Sequence, residues 1–309
     1  MSPSNQPPPQ RGGQVVIGVD LGGTGTRVVA LDSRGEVRAH QTVRTPRTAS
    51  GPGVLAELIR AVAGDAAVAA VGIGASGPVD ARGVIRNDDT LAAFSHIPLT
   101  GLLEAELGVP CAIENDAVAA AIGEATYGAA KDSADVLMVT LGTGVGVSVL
   151  LGGRPFRAAD GTHPEAGHIP VPGAPAACYC GLATCWEQLA SRTALDRLTQ
   201  GRTAELAGIA GYDNDAAALF RQYGESVGFG TSALLTIFKP DRVVFGGGAA
   251  AYLPHFASGL DTALHRAGGF DVSTPYSEAA LGDLSGAIGA AVLASDTTPA
   301  VTLTHTSKK

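Results

Sequence analysis

The sequence predicts an α/β protein built as two α/β domains around a cleft. The chain has 309 residues, more than one hydrophobic core usually covers. Apolar, β-branched runs of strand length alternate with segments of helical spacing. One local unit also occurs twice: an apolar strand, a glycine/threonine turn and a return strand, first over residues 15–32 and again over 135–151. Two such halves suggest two domains facing each other, with one phosphate loop from each.

The elements follow in order. Residues 15–20 (VVIGVD) form a buried strand ending in Asp20, and residues 27–32 (RVVALD) form the return strand. The turn between them, Gly22-Gly23-Thr24-Gly25, therefore closes a hairpin. A dinucleotide-binding loop has to open a helix, so this is not a Rossmann fingerprint. Residues 54–63 have helical spacing, 67–73 (AVAAVGI) read as a buried strand, and 99–107 form an amphipathic helix. Residues 110–114 form a short strand ending at Asn115 and Asp116. The alanine-rich stretch 117–127 is helical, which puts Asp116 at a helix N-terminus, where an acid is favoured. An N-cap role alone would also account for that pair.

The second unit runs from the strand at 135–141 through Gly142-Thr143-Gly144-Val145-Gly146 to the strand at 147–151. A third buried strand, 242–245, enters Gly246-Gly247-Gly248, and 281–294 is a small-residue helix. Residues 15–116, completed by a C-terminal helix at about 281–296, are expected to form a small domain. Residues 117–280 form a large one. The proline-rich 1–14 and polar 297–309 segments read as a lead and a tail without a core.

Composition excludes several function classes. The formal net charge is -8, which argues against non-specific nucleic-acid binding. No apolar run reaches the roughly 20 residues that span a bilayer, and the N-terminus carries no secretory signal. A cytoplasmic location is expected. Four cysteines in this length, three of them within eight residues, fit a metal site better than a disulfide framework.

Glycines let a backbone approach a ligand closely, and successive N–H groups bind phosphate oxygens. Either glycine/threonine turn alone is an ordinary hairpin. Two of them plus a third glycine cluster point to nucleotide binding. Phosphoryl transfer needs positioning, a metal on the phosphates and a base for the acceptor hydroxyl. Asp116 is the candidate base, and Asp20 the candidate holder of Mg²⁺ through water. Cys178, Cys180 and Cys185 with His168 upstream make a closed tetrahedral shell, which is the form of a structural zinc site. Glu165 and Glu187 flank it, and paired carboxylates suit sugar hydroxyls. His163 reads as a loop residue near the pocket. Trp186 reads as packing under the zinc loop, and Cys111 as a core residue.

Together these motifs resemble the ROK family (repressors, open reading frames and kinases). GVDLGGTGTR at 18–27 resembles its first phosphate motif, ENDAVAAAIGE at 114–124 its catalytic segment, and LGTGVGVSVL at 141–150 its second phosphate motif. PEAGH followed by CYCGLATCWEQLAS resembles its sugar-and-zinc signature, and VVFGGGAA at 243–250 its adenosine loop. The resemblance runs from about Val15 to Ala294. It implies an actin-like ATPase (RNase H-like) fold and ATP- and Mg²⁺-dependent transfer of the γ-phosphoryl group to a hexose hydroxyl, usually the 6-hydroxyl.

By position, Asp116 is then the base. Asn115, Asp116, Glu165, His168 and Glu187 contact the sugar. Asp20, Gly22, Gly23, Thr24, Gly142, Thr143, Gly144, Gly246, Gly247 and Gly248 serve the nucleotide and its metal. His168, Cys178, Cys180 and Cys185 hold structural Zn²⁺, with one His168 ring nitrogen on the metal and the other on the sugar. Val118, Ser148, Thr184 and the Gly25-Thr26-Arg27 segment depart from the family pattern, Ser148 by interrupting the second phosphate loop. His163-Pro164-Glu165 resembles the fructokinase branch, whereas the three-cysteine loop is more like the glucokinase branch. The reading is a glucose kinase. Fructose, an amino sugar or a cyclitol are the alternative acceptors, and a non-catalytic sugar sensor or transcriptional regulator is the competing class. The residues before the first strand are too few for a helix-turn-helix module. The resemblance also implies a homodimer or homotetramer.

Overall fold

The computed structural model describes residues 13–173, 177–266 and 273–297. Its described residues divide into two units, Met1–Asp116 with Ala287–Lys309, and Ala117–Gly286. Both crossings of the chain between the units fall inside helices.

The first unit contains β1 (Gln14–Leu21), β2 (Gly25–Leu31), β3 (Val37–Arg44), α1 (Gly51–Ala63), β4 (Ala67–Ala75), α2 (Asp88–Leu91), α3 (Leu99–Leu107) and β5 (Cys111–Asn115). Its sheet has the order β3-β2-β1-β4-β5. β1 and β2 form the antiparallel hairpin, and β4 and β5 lie parallel to β1 in series. β1 is buried along almost its whole length because both its neighbours and both its faces are covered, which is why it reads as a continuous apolar run. Helix α1 starts with Pro52 in its first turn and buries Leu55, Ala56 and Ile59 against this sheet.

The second unit contains most of α4 (Asp116–Tyr127), then β6 (Val136–Leu141), β7 (Val145–Leu151), β8 (Arg154–Pro155), α5 (Glu187–Ala190), α6 (Arg192–Leu198), α7 (Thr203–Ile209), α8 (Asn214–Phe238), β9 (Arg242–Gly246), α9 (Leu253–Arg266), β10 (Tyr276–Glu278) and the start of α10 (Ser285–Thr297). Its sheet order is β10-β9-β6-β7-β8, the same connectivity as the first sheet. β6 pairs antiparallel with β7, and β9 and β10 run parallel to it. So the two hairpins seen in the sequence open two sheets of one topology.

The sequence reading and the structure differ in places. Gln14 is already part of β1 and Thr297 ends α10; apart from Gly13, the rest of the expected lead and tail lies outside the described residues. Ser148 does not interrupt the second turn: it lies inside β7, buried, and its Oγ donates to Ala117 O at 2.8 Å. The 25-residue α8 was not anticipated at all. It opens on Asp213, whose side chain accepts from Ala216 N, and buries Phe220, Tyr223, Val227 and Leu234 on one face. Among the described residues, no helix is long and apolar enough to cross a membrane.

Candidate functional site

In the first unit the β1–β2 turn is closed by Gly22 N–H donating to Gly25 O at 3.1 Å. Thr45 caps it from β3's end: its hydroxyl reaches Gly22 O, and its N–H donates to Thr24 O at 3.3 Å. Thr24 is exposed at the tip. Asp20 sits opposite Arg27 in the β1–β2 ladder, and the Arg27 guanidinium lies 3.2 Å from its Oδ2. Asn115 ends β5. It is buried, and its Nδ2 donates to Gly77 O at 3.1 Å. Asp116 is the first residue of α4 and is partly buried.

The second unit carries the other turn, the Cys₃His cluster and the third glycine loop. Gly142 N–H donates to Gly144 O at 3.0 Å, which closes the β6–β7 turn and leaves Thr143 exposed. Glu187, the first residue of α5, is buried and its Oε2 accepts the Val145 N–H at 3.1 Å. The turn has room for that carboxylate only because residue 144 is glycine: a Cβ there would fall 2.3 Å from Glu187 Oε2. Gly246 ends β9, and the exposed Gly247 and Gly248 follow it at the neighbouring strand end.

His168 ends a single turn of 3₁₀ helix, Ala166–His168, and Glu165 precedes it. The ligand atoms of His168, Cys178, Cys180 and Cys185 lie within 4.8 Å of one another. His168 Nδ1 faces the cysteines, 3.5 Å from Cys178 Sγ. Its Nε2 faces away, 3.1 Å from the Tyr179 hydroxyl. Burial, then the neighbouring sulfurs, push the Cys185 thiol up to about 12, while the Leu182 backbone N–H holds Cys180 lower. Crowded sulfurs resist ionising together unless a cation sits among them, so the donor set suits Zn²⁺. Burial followed by the Glu187 carboxylate also raises the Tyr179 phenol to about 12.

The two acids differ. Glu187 is enclosed, whereas Glu165 is 48% exposed and lies 3.4 Å from the buried His163. Trp186 is fully buried, and its Nε1 donates to Ser226 O in α8 at 2.9 Å, so it packs rather than faces a ligand. Cys111 is half-buried and its thiol is pushed up to about 12 by burial, the state of an inert core residue.

Sequence reasoning missed three groups. Glu124 is fully buried in α4, where its carboxylate accepts from Ala129 N, Ala280 N, Leu281 N and Ser285 Oγ at 2.7–3.0 Å. Tyr179, set between Cys178 and Cys180, carried no motif signal. Arg192 and Thr193 follow the N-cap Ser191 and carried no motif signal.

Two sheets of one connectivity, each opening with a hairpin whose turn is rich in glycine, define an actin-like ATPase fold. The ROK family model matches residues 16–297, and the chain belongs to the ROK family. It is 32% identical to a glucokinase of Streptomyces coelicolor, over 92% of this chain and 99% of that one. It is similar to the crystal structure of a ROK family glucokinase from Streptomyces griseus in complex with glucose and AMPPNP, with a TM-score of 0.79 and 31% identity over 91% of this chain and 99% of that one. The ROK hexokinase from Thermus thermophilus gives a TM-score of 0.76 and 35% identity, over 91% and 97% of the two chains.

Proposed function

We propose that this chain is an ATP-dependent hexose kinase, that glucose is its acceptor, and that the 6-hydroxyl receives the phosphoryl group. The observation that carries the reading is the placement of Glu187. One carboxylate oxygen anchors the second glycine turn and the other remains for a ligand, so sugar and nucleotide elements meet in one residue. The Streptomyces griseus relative, matched along nearly its whole length, is a glucokinase with glucose and AMPPNP bound.

In the proposed chemistry Glu165, His168 Nε2, Glu187, Asn115 and Asp116 orient the sugar. Asp116 accepts the proton of the attacking hydroxyl. That oxygen bonds to the γ-phosphorus, the bond from phosphorus to the β–γ bridging oxygen breaks, and ADP leaves. The turns at Gly22-Gly23-Thr24, Gly142-Thr143-Gly144 and Gly246-Gly247-Gly248 bind the nucleotide. Asp20 would hold Mg²⁺ through water, and that ion would supply neutralisation of the phosphate charge. His168, Cys178, Cys180 and Cys185 would hold Zn²⁺, which would fix the loop that bears the acids without entering the transfer. The enzyme works in the cytoplasm as a homodimer or homotetramer, which light scattering would measure.

A second reading, a kinase for fructose, an amino sugar or a cyclitol, draws on the His163–Glu165 contact, which shapes the sugar end differently from an unpaired glutamate. A panel of sugars with ATP decides between them: a glucose kcat/KM well below that of another sugar would remove the glucose assignment. In the same assay Asp116→Ala should lose at least about 100-fold in kcat while calorimetry still registers sugar binding. Turnover that survives the substitution would show that another group is the base.

A further inference from the structure

Arg192 stands where the nucleotide elements of the second unit converge, and the proposed function gives it no role. Its backbone N–H donates to Gly142 O at 2.7 Å. Its Nη1 donates to Gly248 O at 3.1 Å. Its Nε lies 2.9 and 3.0 Å from the two oxygens of Asp196, and the guanidinium sits 5.2 Å over the Tyr252 ring. The next residue continues the pattern, since Thr193 Oγ1 donates to Thr143 O at 3.0 Å.

These contacts fix peptide orientations. In a planar trans peptide the N–H points opposite to the C=O. Gly142 O and Thr143 O are both engaged from the α6 side, so the N–H groups of Thr143 and Gly144 point away from α6. The Gly248–Ala249 peptide is held at both ends. Arg192 takes its carbonyl, and Leu141 O accepts the Ala249 N–H at 3.0 Å. A planar guanidinium with fixed donor directions can hold such a set; an ammonium on a flexible stem cannot.

We propose that Arg192 is a positioning residue for the phosphoryl donor, locking the Gly142–Gly144 turn and the Gly246–Gly248 loop into a single cradle for a nucleoside triphosphate. It acts through the two loops and does not touch the reacting atoms. This rests on the reading of both loops as nucleotide-binding.

The test compares wild type with Arg192→Ala, Arg192→Lys and Thr193→Val, reading affinity for AMPPNP by calorimetry, KM for ATP, kcat, and affinity for the sugar. Loss of a charged hydrogen bond and of a fixed loop should weaken AMPPNP binding about tenfold in Arg192→Ala. KM for ATP should rise by a similar factor, with kcat and sugar affinity within about threefold. Arg192→Lys should fail to restore binding, and Thr193→Val should shift it the same way by a smaller factor. Unchanged nucleotide affinity in Arg192→Ala and Thr193→Val overturns the proposal. So does an equal loss of sugar affinity, which would mark general destabilisation, or full rescue by Arg192→Lys, which would mark a plain charge effect. Wild type that binds no AMPPNP would overturn the nucleotide reading itself, and this proposal with it. Should Arg192→Ala not fold, Arg192→Lys and Thr193→Val carry the same comparison.

Discussion

Glu187 Oε2 accepts the backbone N–H of Val145 at 3.1 Å, across 42 residues of sequence. The acid therefore serves the turn before β7 as well as any ligand on its own loop. A residue with both tasks should show both losses when it is removed.

Glu187→Ala is expected to lower kcat/KM for the sugar by at least about 100-fold, since a desolvated charged partner is lost together with an anchor. It should also raise KM for ATP, because the Gly142–Gly146 turn loses its tether. Gly144→Ala should act in the same direction, because the added Cβ meets the carboxylate. Steady-state kinetics with each substrate varied separates the two effects. A sugar-only phenotype would show that the Val145 bond is incidental.

Zinc is expected at one ion per chain by elemental analysis. Cys178→Ser or a strong chelator should lower the melting temperature and raise the sugar KM, because an ion held by the Cys₃His cluster would fold the loop bearing His168 and Glu187. AMPPNP affinity should change less. Metal-free protein with unaltered melting and sugar KM would mean the four side chains hold each other without an ion.

Glu124 should be costly to replace. Four donors converge on a fully buried carboxylate, and leaving them unsatisfied typically costs about 1–3 kcal/mol each for a neutral group. Glu124→Leu is expected to lower stability by at least about 3 kcal/mol in denaturant unfolding, and Glu124→Gln by less. A loss within about 0.5 kcal/mol for Leu would contradict this account.

Asp80 gives the chain an acid-sensitive turn. The Arg86 guanidinium, with the Val84 and Arg82 N–H groups, holds its carboxyl at about 2. The folded value lies below the unfolded one, so the contribution is complete above about pH 4 and fades as pH falls toward 2. Asp80→Asn should flatten that part of the stability–pH curve by lowering stability at neutral pH, where the contribution is complete, more than at pH 2.5. Unfolding titrations at pH 5 and 2.5 measure it, and parallel curves for both proteins would remove Asp80 from the acid response.

The strands were legible because burial on both faces forces continuous apolar runs, as at Val15–Val19 and Val136–Val139. The turns were legible because glycine clusters interrupt those runs. β3 was not, since most of its residues are exposed, Arg38, His40 and Gln41 among them, and resemble a surface loop. α8 was lost because Gly224, Gly228 and Gly230 break the helical pattern that Phe220, Tyr223 and Val227 set. At the site, acids and cysteines stood out by type. What each contacts did not: no spacing rule places Arg192 against Gly248, 56 residues away.

α10 lies so close to the first sheet that side chains are excluded on the strands beneath it. A Cβ on Gly18 would fall 1.8 Å from Ala287 O, and one on Gly72 1.7 Å from Ala290 O. Those strands are made before the second unit, and their covering helix after it. Ala117–Gly286 can collapse as an uninterrupted stretch, but the first sheet keeps an open face until α10 is made. Throughout synthesis of the second unit β1 and β4 stay half covered. Chaperone dependence and sensitivity to deletion of α10 should therefore concentrate in the first unit.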